Sequence, residues 1–303
     1  MTLSREARKY IPLLVTIVLW ASAFAGIRAG NEGYSPFHVA LLRYATASVV
    51  LASVAFFKGV KVPSLKDLPG IGLMGFIGVA GYNMAVNYGE LTVPAGSASF
   101  IVGSAPIFTS FLAWVFLGER IKTSHWIGIM MSFIGVGVIA LAEGGGLHLG
   151  HGAWFVLLAA CLQSGYFVLQ KPYLTRYTPL ELVTYAIWCG TLIMLIFSGG
   201  IIQQVHSAPL SATLAVIYLG IFPGALGYVC WSIVLSSMNV SRASGFLYLI
   251  PFIASLIAWI WLGEIPSLQA FVGGCVVLSG VITITKQSKP ANEYSTEDNS
   301  YED

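Results

Sequence analysis

Arg43 has the most chemistry to offer, because of where it stands. It lies six residues into an apolar run over 37–57, roughly 9 Å along a helix at 1.5 Å per residue. A guanidinium at that depth has two uses, and both stay open. It can snorkel to the nearby boundary, with Glu32 or Glu90 as a structural counter-ion. Or it can grip a carboxylate of a bound solute, or fix a gate. Polar and aromatic residues at similar depth in other runs are candidates to line the same cavity. Trp20 and Ser22 come from the first run, and Gln163 and Tyr166 from the sixth. Tyr82, Asn83 and Asn87 share one stripe of a helix, since spacings of four or five stay on a face. Ser99, Tyr228, Trp231, Ser244 and Tyr248 complete the candidate binding set. A buried amide in hydrocarbon must find a partner, so Asn83, Asn87 and Gln163 face a bundle interior or a watery cavity. The competing use is interhelical hydrogen bonding, worth about 0.6–2 kcal/mol per contact.

Two prolines would position these groups. Pro106 and Pro251 fall about halfway along their runs, and each removes a backbone donor and frees a carbonyl. They are also 145 positions apart, and that offset recurs. It carries Ala98-Ser99 onto Ala243-Ser244, and Ala113-Trp114-Val115-Phe116-Leu117-Gly118-Glu119 onto Ala258-Trp259-Ile260-Trp261-Leu262-Gly263-Glu264. Gly128 and Gly135 fall on Gly273 and Gly280. A repeated apolar unit is the mark of a carrier built from two related halves. Paired prolines at matching depth then read as hinges.

The elements that hold these residues follow from composition. Charged residues make up 9% of the chain and hydrophobic residues 56%, against about 25% charged in a soluble domain. Runs of about 20 apolar residues cross a bilayer as helices, and ten candidates fall near 11–29, 37–57, 69–89, 95–117, 124–142, 152–171, 180–200, 211–234, 241–262 and 268–285. The reading is an all-α integral membrane protein of ten transmembrane helices, arranged as two inverted five-helix repeats. The first repeat spans 1–145 and the second, inverted one 146–286, with 287–303 a disordered cytoplasmic tail. Of the 15 lysines and arginines, all but Arg28 and Arg43 fall on the side of the termini and of the loops after even-numbered helices. The positive-inside rule puts that side, and both termini, in the cytoplasm. An odd number of helices per half makes the second half enter from the opposite face.

With those residues in hand, the chain resembles the drug/metabolite transporter superfamily, in its ten-helix EamA-type branch. The carrying features are Leu19-Trp20-Ala21-Ser22-Ala23-Phe24, Pro36 with Arg43, and a proline eleven residues ahead of Leu-Gly-Glu in each half. Glycines seven apart in helices 5 and 10 complete the pattern. The resemblance covers all but the tail. It implies a secondary carrier of small metabolites, often amino acids, moving them outward across a bacterial inner membrane. A multidrug or nucleotide-sugar carrier, or an importer, is the alternative within the superfamily. A nucleotide sugar wants several basic residues for its phosphates, and only Arg43 is placed for that.

Other functions find little footing. An enzyme needs paired acids, a histidine cluster or a nucleophile–base pair inside the bundle, and all five histidines fall near helix ends or in loops. His148 and His151 are a weak metal pair without a carboxylate or thiolate. The expectation is therefore no catalysis, no cofactor, no metal and no nucleic-acid partner; the partners are a small-molecule substrate and the lipid bilayer. No Asp or Glu falls in the middle third of a run, which favours facilitated diffusion or exchange. Glu119 and Glu264 read as turn residues. Arg28 and Lys171 read as boundary anchors. Small residues in helices 5 and 10 let backbones approach, so those helices pack together or form a homodimer face.

Overall fold

Long apolar stretches leave the helix as the way to satisfy the backbone in lipid, and helices are what form. The computed structural model describes residues 7–143 and 151–263, with scattered positions between 268 and 283. Among the described residues there is no strand. Among the described residues eight helices are long and apolar enough to cross a membrane: Tyr10–Asn31, Pro36–Lys58, Leu68–Gly89, Ala98–Leu117, His151–Tyr173, Pro179–Phe197, Leu210–Ser237 and Val240–Trp261. They are helices 1–4 and 6–9 of the ten expected runs. Helix 5 is Thr123–Glu143, and its qualifying apolar stretch is the shorter Trp126–Gly135. Most of the tenth run, Glu264 and the tail over 287–303 lie outside the described residues.

Local chemistry sets the ends. Pro36 opens helix 2 behind Ser35, whose hydroxyl accepts from the His38 amide. Thr178 and Glu181 close a reciprocal capping box around the start of helix 7. The repeated Leu-Gly-Glu motif resolves into matched stops. Gly118 (φ 65°) and Gly263 (φ 72°) end helices 4 and 9 in the left-handed conformation that side chains rarely tolerate.

Packing between the halves follows an exchange pattern. Helix 1 packs on helices 8 and 9, and helix 6 packs on helices 3 and 4. Helix 3 lies against helix 7, and helix 8 against helix 2. Helices 2 and 7 pack on each other, as do 4 and 9. Each contact thus recurs with the halves swapped, and the core is shared between them. The small residues of helices 5 and 10 meet inside the chain: a Cβ on Gly280 would fall 2.6 Å from the Gly128 carbonyl. That contact uses the face on which a homodimer was expected, and nothing else supports the dimer.

Candidate functional site

Helices 3 and 8 change winding in mid-span. Residues Gly75–Gly81 and Gly220–Gly227 form π-helical segments. Their first glycines are one repeat offset apart. Gly75 sits against helix 7, where a Cβ would come 2.6 Å from the Ala186 carbonyl. Gly220 sits against helix 2, with 2.5 Å from a Cβ to the Arg43 carbonyl. Only glycine permits approaches this close. The segment in helix 8 is one residue longer, so each ends at the same pair, Gly81-Tyr82 and Gly227-Tyr228. π-Segments loosen backbone bonding and gather at functional sites.

Helices 4 and 9 are interrupted at matching places. Helix 4 consists of Ala95–Val102 and Ala105–Leu117, broken at Gly103-Ser104. Helix 9 runs Val240–Gly245, tightens to a 3-10 turn over Phe246–Tyr248 and resumes as Leu249–Leu262. Pro106 and Pro251 sit just past these interruptions, so the expected kinks take the form of a break in helix 4 and a tightened turn in helix 9. The breaks touch: a Cβ on Gly103 would lie 3.2 Å from Pro251 Cγ.

Between these four helices and helices 1, 2 and 6 lies a narrow cavity of about 30 Å³. Trp20, Arg43, Tyr82, Ser99, Gln163 and Tyr228 supply its polar and aromatic lining, with Pro106 and Pro251 between them. The remainder is apolar, from Ala23, Phe24, Ile27, Val102, Leu247 and Ile250, with Gly103 and Ala105.

Arg43 is 3% exposed. Its guanidinium carbon lies 5.2 Å from the centre of the Tyr44 ring, and its Nε has no hydrogen-bond partner. Glu90, one of its expected counter-ions, lies on the helix 3 end that Arg28 approaches: Arg28 Nη1 donates to the Glu90 carbonyl at 3.5 Å. A buried guanidinium with an unbonded Nε is costly, and Arg43 is part of the cavity wall.

The aromatic residues are anchored by the π-segments. The Tyr228 hydroxyl donates to the Gly78 carbonyl at 2.9 Å, and Trp20 Nε1 donates to the Pro223 carbonyl at 3.3 Å. Gly78 and Pro223 are again one repeat offset apart. Trp20 stacks on Phe167 at 5.8 Å and meets Tyr228 edge-on at 5.5 Å.

Several expected lining residues instead serve the walls. Asn83 Nδ2 donates to Tyr44 Oη (2.8 Å), to the Val79 carbonyl (2.9 Å) and to Tyr228 Oη (3.4 Å). Asn87 donates to the Pro36 carbonyl at 3.0 Å and so ties helix 3 to the start of helix 2. Ser22 shares a hydrogen bond with Tyr218 at 2.6 Å. Tyr166 and Trp231 are buried behind the lining, 5.7 Å from Tyr228 and 5.5 Å from Trp20. Ser244 bonds back to the Ser241 carbonyl, and Tyr248 is wholly buried. Sequence reasoning missed Tyr44, Phe24 and the two π-segments. A signal for the segments exists, since Gly75 and Gly220 obey the repeat offset.

The charged residues at the boundaries tie the halves together. Glu119 accepts from the Val240 (2.8 Å) and Ser241 (3.1 Å) amides and from the Ser241 hydroxyl. The turn residue of one half thus caps helix 9 of the other. Lys171 Nζ donates to the Leu235 and Met238 carbonyls at 2.5 and 2.8 Å, a cation at the end of helix 8. Two loop contacts link the halves as well. Asp67 pairs with Arg176 at 2.8 Å and accepts from the Tyr177 hydroxyl at 2.6 Å; that bond holds the Tyr177 phenol above its usual pKa. On the other face, Gln204 Oε1 meets His38 Nδ1 at 2.6 Å and the Ser35 amide at 2.9 Å. Among the described residues no cluster of His, Cys, Asp or Glu is placed to hold a metal ion.

Known proteins share this architecture. A model of the EamA-like transporter family matches the chain twice, over residues 8–141 and 150–286. The transporter YdfC of Bacillus subtilis is 43% identical over 265 residues, covering 88% of this chain and 87% of that one. A probable terminal-alkyne amino-acid exporter of Streptantibioticus cattleyicolor is 41% identical over 276 residues, 91% and 93% of the two chains. The inner membrane transporter YedA of Escherichia coli K12 is 26% identical over 287 residues, 92% of each. A solved crystal structure at 18% identity superimposes with a TM-score of 0.73 over 92% of this chain and 96% of that one, which shows a shared fold. One family model accounts for both halves and relatives cover 88% and 91% of the chain, so this chain belongs to the EamA-like transporter family.

Proposed function

We propose that this protein is a secondary transporter that moves small zwitterionic metabolites, amino acids foremost, outward across the inner membrane by alternating access. The observation that carries the reading is Arg43, a buried cation that rests on the Tyr44 ring and leaves its Nε unbonded, on the wall of a cavity shared by the halves. A carboxylate is the ligand that satisfies a guanidinium bidentately. The relative named as an amino-acid exporter supports the substrate class. In this reading the halves are inverted repeats with both termini cytoplasmic, and the breaks at Pro106 and Pro251 let one half rock on the other.

Uptake into liposomes holding purified protein tests it. Labelled amino acid outside should enter faster when unlabelled amino acid is loaded inside, and Arg43→Ala should remove that flux. Absence of flux for every amino acid, with correctly folded wild type, overturns the substrate class and points to drugs, sugars or nucleotides. Flux that survives in Arg43→Ala overturns the role of Arg43.

A further inference from the structure

Helices 2 and 7 begin alike. Each opens with a capping hydroxyl, a proline and, two residues after the proline, a polar side chain: Ser35-Pro36-Phe37-His38 and Thr178-Pro179-Leu180-Glu181. Each of these side chains holds a stretch of the other half. Glu181 accepts from the Lys61 amide at 3.2 Å, in the connection between helices 2 and 3, and from the Thr178 amide at 2.8 Å. His38 engages the end of helix 7 and its connection to helix 8 with both ring nitrogens. Nε2 lies 3.0 Å from the Phe197 carbonyl and Nδ1 lies 2.6 Å from Gln204 Oε1. These two contacts straddle Gly199-Gly200, where Gly200 turns at φ 80° ahead of the short helix Ile201–Ser207. Phe37 stacks on Phe197 at 5.1 Å, and His38 itself is buried.

The two latches have opposite polarity. Glu181 faces N–H donors, which suit a carboxylate, whereas His38 faces two oxygens. Gln204 cannot relieve this by turning its amide over. Its Oε1 also accepts from the Ser35 amide at 2.9 Å, and an NH2 group there would meet that N–H head on. A neutral imidazole has one N–H and one lone pair; only the imidazolium donates from both nitrogens. We propose that His38 is a proton-binding latch: the outer face closes over a doubly protonated His38, and loss of one proton frees the strap of residues 197–207. Histidine changes charge between pH 5 and 8, while a carboxylate ordinarily titrates below that range. External acid therefore holds the outer face shut, with no matching effect at Glu181. Closing binds one proton, so the ratio of closed to open rises by up to about tenfold for each unit fall in pH. The proton enters and leaves on one side, so it tunes the carrier without driving it. The other titratable or charged side chains at this end are Arg28, Glu32 and Tyr34 in or just after helix 1, Tyr88 and Glu90 at the end of helix 3, and His206 on the short helix. Glu32 and His206 are exposed, and the Tyr34 hydroxyl is bonded to Thr213. The latch goes beyond the transport reading, from which it takes only the naming of the outer face.

Distances between spin labels test the latch in the full chain, held in lipid nanodiscs so that both faces see one pH. The labels go on Leu91→Cys, at the outer end of helix 3, and Ile202→Cys, on the strap, both exposed positions, with the four native cysteines replaced by alanine. Between pH 8 and pH 5.5 the population at the shorter distance should grow at least threefold relative to the longer one. His38→Gln should show no pH dependence. Gln204→Met removes the acceptor that demands the second proton, so the response should vanish there too, and this variant decides the matter if His38→Gln does not fold. A distance distribution in the parent chain that ignores pH overturns the latch. A response that persists in His38→Gln or in Gln204→Met also overturns it and moves the titration to another group, His206 first. Nitrogen NMR of histidine-labelled protein, assigned by the signals lost in His38→Gln, should find protons on both ring nitrogens of His38 at pH 5.5; a neutral ring there with the strap closed sinks the proposal. None of these measurements reads transport. Failure of the latch leaves the transport reading standing, and absence of amino-acid flux leaves the latch standing.

Discussion

Arg43 and Asn83 show how differently two buried polar residues can be used. Asn83 spends its amide on the chain itself, holding Tyr44 and Tyr228 in place. Asn83→Ala should cost about 1–3 kcal/mol, the usual loss for a removed buried partner, and read out as a lower thermal midpoint in detergent with weakened transport. Arg43 gives the chain a contact with the Tyr44 ring and leaves its Nε unbonded. Arg43→Lys keeps the charge but loses the planar fork that matches a carboxylate, so it should retain less than about a tenth of wild-type flux while its thermal midpoint stays near wild type. A lysine variant with full flux would mean that charge alone suffices. The contrast also explains where the sequence was opaque. Spacing marks Asn87, Ser22 and Ser244 as polar residues in apolar helices, which must have partners. It does not say whether the partner is the protein or a solute: the Ser22 and Ser244 hydroxyls and the Asn87 amide nitrogen find the protein, while Asn87 Oδ1 has no partner.

At the scale of the helix, the four interrupted or underwound spans do the positioning. The breaks near Pro106 and Pro251 were legible, because proline has one mechanism and the repeat supplied its counterpart. The π-segments were not, because a bond from i to i+5 leaves no trace in hydropathy. Their test is geometric. Removing one residue within Gly220–Gly227 turns the remainder of helix 8 by about 100°, which takes the Tyr228 hydroxyl off the Gly78 carbonyl. Such a deletion should abolish flux while the helical circular dichroism stays. Gly75→Val places side-chain atoms where helix 7 backbone already stands, with 2.6 Å to the Ala186 carbonyl from Cβ alone. It should yield little monodisperse protein on size exclusion, and a well-behaved variant would show that helix 7 gives way.

Over the whole molecule, the contacts that span the halves are modest at their edges and strong in the middle. The Asp67–Arg176 pair has its arginine 55% exposed, and exposed pairs contribute at most about 1 kcal/mol. Asp67→Asn should therefore shift the balance between open and closed forms at that face by about fivefold or less, seen as faster thiol labelling of a cysteine placed at Ser99. A labelling rate that stays unchanged would remove the pair from the gate. A fluorescent-protein fusion at the carboxyl terminus should glow if that terminus is cytoplasmic, as the distribution of lysine and arginine predicts; a dark but well-expressed fusion would reverse the orientation.

The bond from Glu119 to the start of helix 9 also sets a timetable. Its partners are 121 and 122 residues further along the chain. At roughly 5–20 residues per second, the ribosome takes about 6–24 s to reach them. Over that interval the newly inserted first half holds a carboxylate with no backbone to cap, and helix 4 has no neighbour on its break. A fragment ending near residue 145 should accordingly be degraded in cells, and be rescued when the remainder is supplied as a second polypeptide.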